Sequence, residues 1–134
     1  MQERNCVRNA SGHPWLSRAD GLLVLTRCMR LDPRDPFLGI RMLHVTCCHY
    51  FCGEYETAVE AGRRAIRMFP EFPLPYRWLA AALGQLGRSE EAMDIRKRAT
   101  GLAPGSFPRQ RSGAMRPIDY AHFAEGLRKA GWID

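Results

Sequence analysis

Residues 53–70 read GEYETAVEAGRRAIRMFP, and residues 87–104 read GRSEEAMDIRKRATGLAP. Few letters coincide, yet the frame does. Gly53 and Gly87, Ala58 and Ala92, Ala65 and Ala99, and Pro70 and Pro104 are each 34 positions apart. Four small or helix-stopping residues sharing one offset point to a stacked repeat, and 34 is the period of a helix–turn–helix unit. Each residue type has a physical task in such a unit. Glycine supplies the backbone freedom where one helix ends. Alanine lets two helices approach closely. Proline stops the second helix because it cannot extend the hydrogen-bond ladder.

Working outward, the spacing predicts six helices, a leader and a linker. A helix over about 16–31 places Leu22, Leu25, Cys28 and Met29 on one face and stops at LDPRDP, with Pro33 where Pro70 and Pro104 close the later units. It reads as the second half of a repeat whose first half is missing. Helices are then expected at about 36–51, 54–69, 73–86 and 89–102. Asp35 is the expected N-cap of the first, with Pro36 at its first position. Ser89, Glu90 and Glu91 suit the start of the last. Glu60 with Arg64 and Asp94 with Arg98 are spaced as i,i+4 ion pairs. Residues 1–15 read as a poorly ordered leader, and 105–116 as a linker rich in Gly, Pro and Ser. A final helix over 117–130 carries Tyr120, Phe123, Ala124 and Leu127 as its apolar stripe and ends at Gly131, after which Trp132 can fold back.

The repeat units resemble the tetratricopeptide repeat (TPR). The first aligns Met42, Val45, Thr46 and His49, then Ala58, Gly62, Ala65 and Pro70. The second aligns Tyr76, Leu79, Ala80 and Leu83, then Ala92, Arg96, Ala99 and Pro104. Gly62 and Arg96 stand where that family usually has Phe. The resemblance implies an all-α fold: a short TPR-like helix–turn–helix solenoid, with a half repeat at 16–33, repeats at about 36–70 and 71–104, and a C-terminal capping helix. A narrower resemblance is to the carboxy-terminal tail of bacterial class III adenylate cyclase-type signalling proteins, carried by LDPRDP, the repeat pair and the ending EGLRKAGW. It implies a regulatory tail whose catalytic domain is absent from this chain.

Composition narrows the chemistry. Of the 134 residues, 46% are hydrophobic and 25% charged, which is the balance of a globular domain. The net charge is +6. Arg96, Lys97 and Arg98 cluster, but no nucleic-acid-binding motif accompanies them, so a solvated helix face is the reading. The start of the chain has no apolar run after its charges, so a cytoplasmic protein without a membrane partner is expected. Five cysteines are an odd number, and free reduced thiols are expected.

His44, Cys48 and Cys52 fall four apart on one helix face, and Cys and His are zinc ligands. At 1.5 Å per residue they span about 12 Å, too far for one ion, so no metal or cofactor is expected. No nucleophile elbow, phosphate loop or metalloprotease helix occurs, and no enzyme activity is expected. The TPR resemblance instead directs attention to the concave face lined by the first helix of each pair. The candidate binding residues there are Ile40, Leu43, His44, Cys47, Tyr50 and Phe51 from one helix. Leu74, Arg77, Trp78, Ala81 and Gln85 come from the next, with Arg77 as a carboxylate or phosphate partner. Two occupants are open for this groove: a peptide from a protein partner, or the chain's own final helix. Self-association as a homodimer is the other partner reading.

Overall fold

The structure is a computed structural model that describes residues 27, 30–32, 34–102 and 117–132. Among them are five helices and no strand: α1 (Leu38–Phe51), α2 (Tyr55–Met68), α3 (Leu74–Gln85), α4 (Ser89–Leu102) and α5 (Pro117–Lys129). The described residues are all-helical in their regular structure, and these five helices have boundaries within two residues of those expected. Most of the expected 16–31 helix, including Leu22, Leu25, Cys28 and Met29, lies outside the described residues, as do the leader, the 105–116 linker and Pro104. No helix among the described residues is long and apolar enough to cross a membrane.

The glycine frame governs the turns. Gly53 (φ 78°) and Gly87 (φ 76°) take the left-handed backbone that side chains avoid. Their hydrogen bonds repeat at the same offset. Gly53 N–H donates to Tyr50 O and Glu54 N–H to His49 O; Gly87 N–H donates to Gly84 O and Arg88 N–H to Leu83 O. This pattern satisfies carbonyls that would otherwise be orphaned at the helix end. Gly131 (φ 79°) closes α5 the same way, with Trp132 N–H reaching Leu127 O.

The small residues sit where helices cross. Ala58, Ala92 and Ala99 have no exposed surface, and Ala65 almost none. The buried positions of α2 are Ala58, Val59, Gly62, Ala65 and Ile66, one stripe of an amphipathic helix. Gly62 stands at a departure from the resembled pattern, and its packing is tight. A Cβ there would lie 3.1 Å from Leu79 Cβ, so any larger residue would press α2 and α3 apart unless Leu79 gave way. Helix α3 is buried on nearly every side, because α1, α2, α4 and α5 all pack on it. Its run Leu79 to Leu83 is therefore apolar all round. Each fully buried leucine in it contributes roughly 2–3 kcal/mol relative to exposure.

Two local expectations change, while the expected start of α4 at Ser89, with Glu90 and Glu91 in its first turn, holds. Asp35 does accept from Phe37 N–H (2.8 Å), and its carbonyl accepts from Leu38 N–H, but this forms a turn ahead of α1; the helix begins at Leu38. Arg41 also pairs with the Asp35 carboxylate. Ser89 is the first residue of α4, and the Arg88 carbonyl before it accepts from Ala92 N–H. The pairs Glu60–Arg64 and Asp94–Arg98 do not form. Arg98 lies over the Tyr76 ring at 5.7 Å, while Arg63 crosses to Glu91 on α4 at 2.6 Å. Arg88 grips the same carboxylate with two bonds of 2.8 and 3.0 Å. A cross-helix bond ties α2 to α4, which an i,i+4 pair would not.

Candidate functional site

Helix α5 lies along the surface where α1 and α3 present their expected groove residues. It runs parallel to α3 in a fixed register. Phe123 stacks on Trp78, with ring centroids 4.1 Å apart and planes at 21°. One turn on, Gly126 faces Ala81; another turn on, Ala130 faces Gly84. The backbones nearly touch. A Cβ on Gly84 would lie 2.2 Å from Gly126 O, and one on Gly126 would lie 2.7 Å from Ala81 O. Neither glycine has a positive φ, so close approach accounts for both.

Tyr50 is the centre of this contact and is fully buried. Its hydroxyl donates to the His122 carbonyl (2.5 Å) and accepts from Gln85 Nε2 (3.2 Å). Its ring meets the rings of Phe51, Tyr55, Trp78, His122 and Phe123 at centroid distances of 4.6–6.4 Å. The Tyr55 hydroxyl lies 2.7 Å from His122 Nε2. At the outer edge Lys129 donates to Gln85 Oε1 (3.0 Å) and pairs with Glu125. Burial drives the Tyr50 phenol well above its ordinary pKa, against the pull of the Gln85 hydrogen bond. The Tyr55 phenol rises too, through burial and then the nearby Glu125 charge. Both hydroxyls are thus held neutral as hydrogen-bonding groups.

The eleven expected groove residues fall into two sets. Tyr50, Phe51, Trp78, Ala81 and Gln85 come together, and α5 covers them. Leu43 is buried, and Cys47 and Leu74 pack against the core. Burial raises the Cys47 thiol well above its ordinary value, and the neighbouring Cys48 adds to the effect. Arg77 is half-buried, and its guanidinium is lowered by that burial while Cys47 opposes the change. His44 and Ile40 are exposed. The sequence reading missed Tyr55, His122, Gly84 and Gly126. Two glycines inside apolar helices were the available signal, since such positions mark close backbone approach.

No group of three or more His, Cys, Asp or Glu able to hold a metal occurs among the described residues. The expectation of reduced thiols is corrected at one position: Cys52 is disulfide-bonded, while Cys47 and Cys48 keep their thiols. His49 Nδ1 is buried without a hydrogen bond, 3.6 Å from Glu54 Oε1. On the opposite side, a cleft of about 390 Å³ between α2 and α4 is lined by Arg63, Glu90, Glu91, Asp94 and Ile95. Its lining sets three acids against Arg63, and the Arg88 hydrogen bond, then Arg63, hold the Glu91 carboxyl below its usual range.

No family model, curated protein or solved structure matches the chain.

Proposed function

We propose that the chain is a TPR-like helical scaffold for protein–protein contact, without catalytic activity of its own, whose groove is built to hold a helix. The observation that carries this is the fit of α5 in that groove. Paired glycines, an aromatic stack and a tyrosine–carbonyl hydrogen bond together recognise a helix by shape and by backbone. The repeat frame at 34 residues, with matching turn hydrogen bonds at Gly53 and Gly87, supports the TPR-like reading. In the full chain α5 occupies the groove in cis, so an outside helix must compete with it. A regulatory tail acting beside a cyclase or transcription regulator remains the alternative, supported only by the resemblance of LDPRDP and EGLRKAGW. The cytoplasmic placement is likewise a proposal, set against a disulfide that persists best in oxidising surroundings.

The test uses a fluorescent peptide of residues 117–132. Gly126→Leu in the full chain should expel α5, because its added side chain meets Tyr50 and Ala81 at once. The labelled peptide should then bind the variant at least tenfold more tightly than the wild type. Equal or undetectable binding to both, with the variant still helical, overturns the helix-groove reading.

A further inference from the structure

The described residues include seven large apolar side chains that stand exposed, and six of them sit at one end of the bundle: Leu31, Phe37, Ile40, Met68, Leu102 and Ile118. Helix direction puts them there. Helices α1, α3 and α5 start at this end, while α2 and α4 finish there. The opposite end closes on three glycine turns, and Trp132 is tucked against it with its indole N–H on Ala92 O (3.2 Å). The apolar surface is thus segregated to one end.

Its densest part is the corner where α1 begins and α2 ends. Leu31 is 85% exposed, Phe37 59%, Met68 47% and Ile40 44%. Behind them the rings of Phe69 and Phe72 close on Gly39, 3.5–3.6 Å from where its Cβ would be. Exposed apolar residues therefore rest on a half-buried aromatic floor. Aromatic side chains bury about 150–250 Å² each and aliphatic ones somewhat less, so these four, at their exposures, leave on the order of 400 Å² of apolar surface in water. That is the size of the largest patch an ordinary monomer carries, and such patches are often functional.

We propose that this corner is a two-fold self-association surface, and that a second copy of the chain covers it. Two such patches face to face remove about 800 Å² of apolar area. With a polar rim this gives roughly 1,200–1,400 Å² in total, the low end of specific interfaces. The rim carries both signs. Arg30, Arg34 and Arg67 are exposed there, and so are Asp32 and Glu71. A two-fold axis can set the arginines of one copy against the acids of the other. With three arginines against two acids the rim is nearly balanced, which gives an anionic lipid surface little net charge to hold. Among the described residues the far end of the bundle offers only Met93 as an exposed large apolar side chain, so head-to-tail stacking would set the patch against mostly polar groups.

Sedimentation velocity on the full chain from about 1 μM to 1 mM tests this. A monomer–dimer transition is expected in the micromolar range. Phe37→Asp and Ile40→Asp should each raise its midpoint at least tenfold, with far-ultraviolet circular dichroism unchanged because both side chains face water. A strict monomer at 1 mM overturns the proposal, as does a dimer that both variants leave intact. Wild-type monomers that float with vesicles containing phosphatidylglycerol, and lose this with Ile40→Asp, overturn it in favour of a lipid surface. The labelled-helix titration reports on the groove and is independent of every one of these results.

Discussion

Replacing Gly84 with alanine sets two effects against each other. In a helix interior, Gly→Ala stabilises by about 1 kcal/mol, because alanine loses less backbone entropy. At Gly84 the new methyl would lie 2.2 Å from Gly126 O, 2.8 Å from Ala130 N and 3.1 Å from Ala130 Cβ. Two of the three obstacles are backbone, so no side-chain rotation relieves them. Helix α5 must move outward by roughly 1 Å, and overpacking of this kind costs about 1–3 kcal/mol. Displacement also weakens the Tyr50–His122 hydrogen bond, about 1 kcal/mol, and the Trp78–Phe123 stack, about 0.5–1.5 kcal/mol. The net expectation is a loss of roughly 2–3 kcal/mol. Gly101 is the internal control: it is helical and has nothing near its Cβ direction. Gly101→Ala should therefore gain up to about 1 kcal/mol. Urea unfolding followed by circular dichroism separates the two, as does a melting temperature that moves by about 4 °C per kcal/mol. If Gly84→Ala is as stable as the wild type, or gains stability as Gly101→Ala does, α5 is not seated against α3.

Ala65→Leu and Ala99→Leu each force a large side chain into a helix crossing with almost no exposed surface. Each should lower stability by about 1–3 kcal/mol, and unchanged melting in both would refute the close-packed repeat frame. Stability should also fall at alkaline pH. Cys47, Tyr50 and Tyr55 are all held protonated, above ordinary values of 9.0 for the thiol and 10.0 for the phenols. Their contribution is complete below those values. As pH rises through them the unfolded chain releases protons that the folded chain keeps, so folding weakens. Urea midpoints at pH 7, 9 and 10.5 should decline in order, and a flat series would contradict the burial. Thiol titration in denaturant without reductant should count three reactive thiols of the five cysteines; five would mean that Cys52 is unpaired.

The helices were legible because their signals are local. One offset of 34 ties Gly53 to Gly87 and Ala58 to Ala92, and each residue acts on its own turn or crossing. Trp132 after Gly131 was readable for the same reason, although its reach to the Ala92 carbonyl on α4 was not. Which of the two open occupants fills the groove was not legible. Gly84 and Gly126 are 42 positions apart, and nothing in either neighbourhood says that they touch. Only the register set by Trp78 and Phe123 brings them together. The ion pairs failed by a single position. Arg63 and Arg64 differ by about 100° around the helix, which turns Arg63 toward α4 and leaves Arg64 in solvent. The lone His122 offered no partner in sequence because its partners, Tyr50 and Tyr55, come from elements about 70 residues earlier.

The most direct test of a groove filled by its own helix is a nuclear Overhauser spectrum of the full chain at the Trp78 and Phe123 rings. With centroids 4.1 Å apart, strong cross-peaks between the indole and phenyl protons are expected, together with slowed amide exchange through the second half of α5. Absent cross-peaks, with α5 amides exchanging as fast as free peptide, would contradict the seating of α5 in the groove.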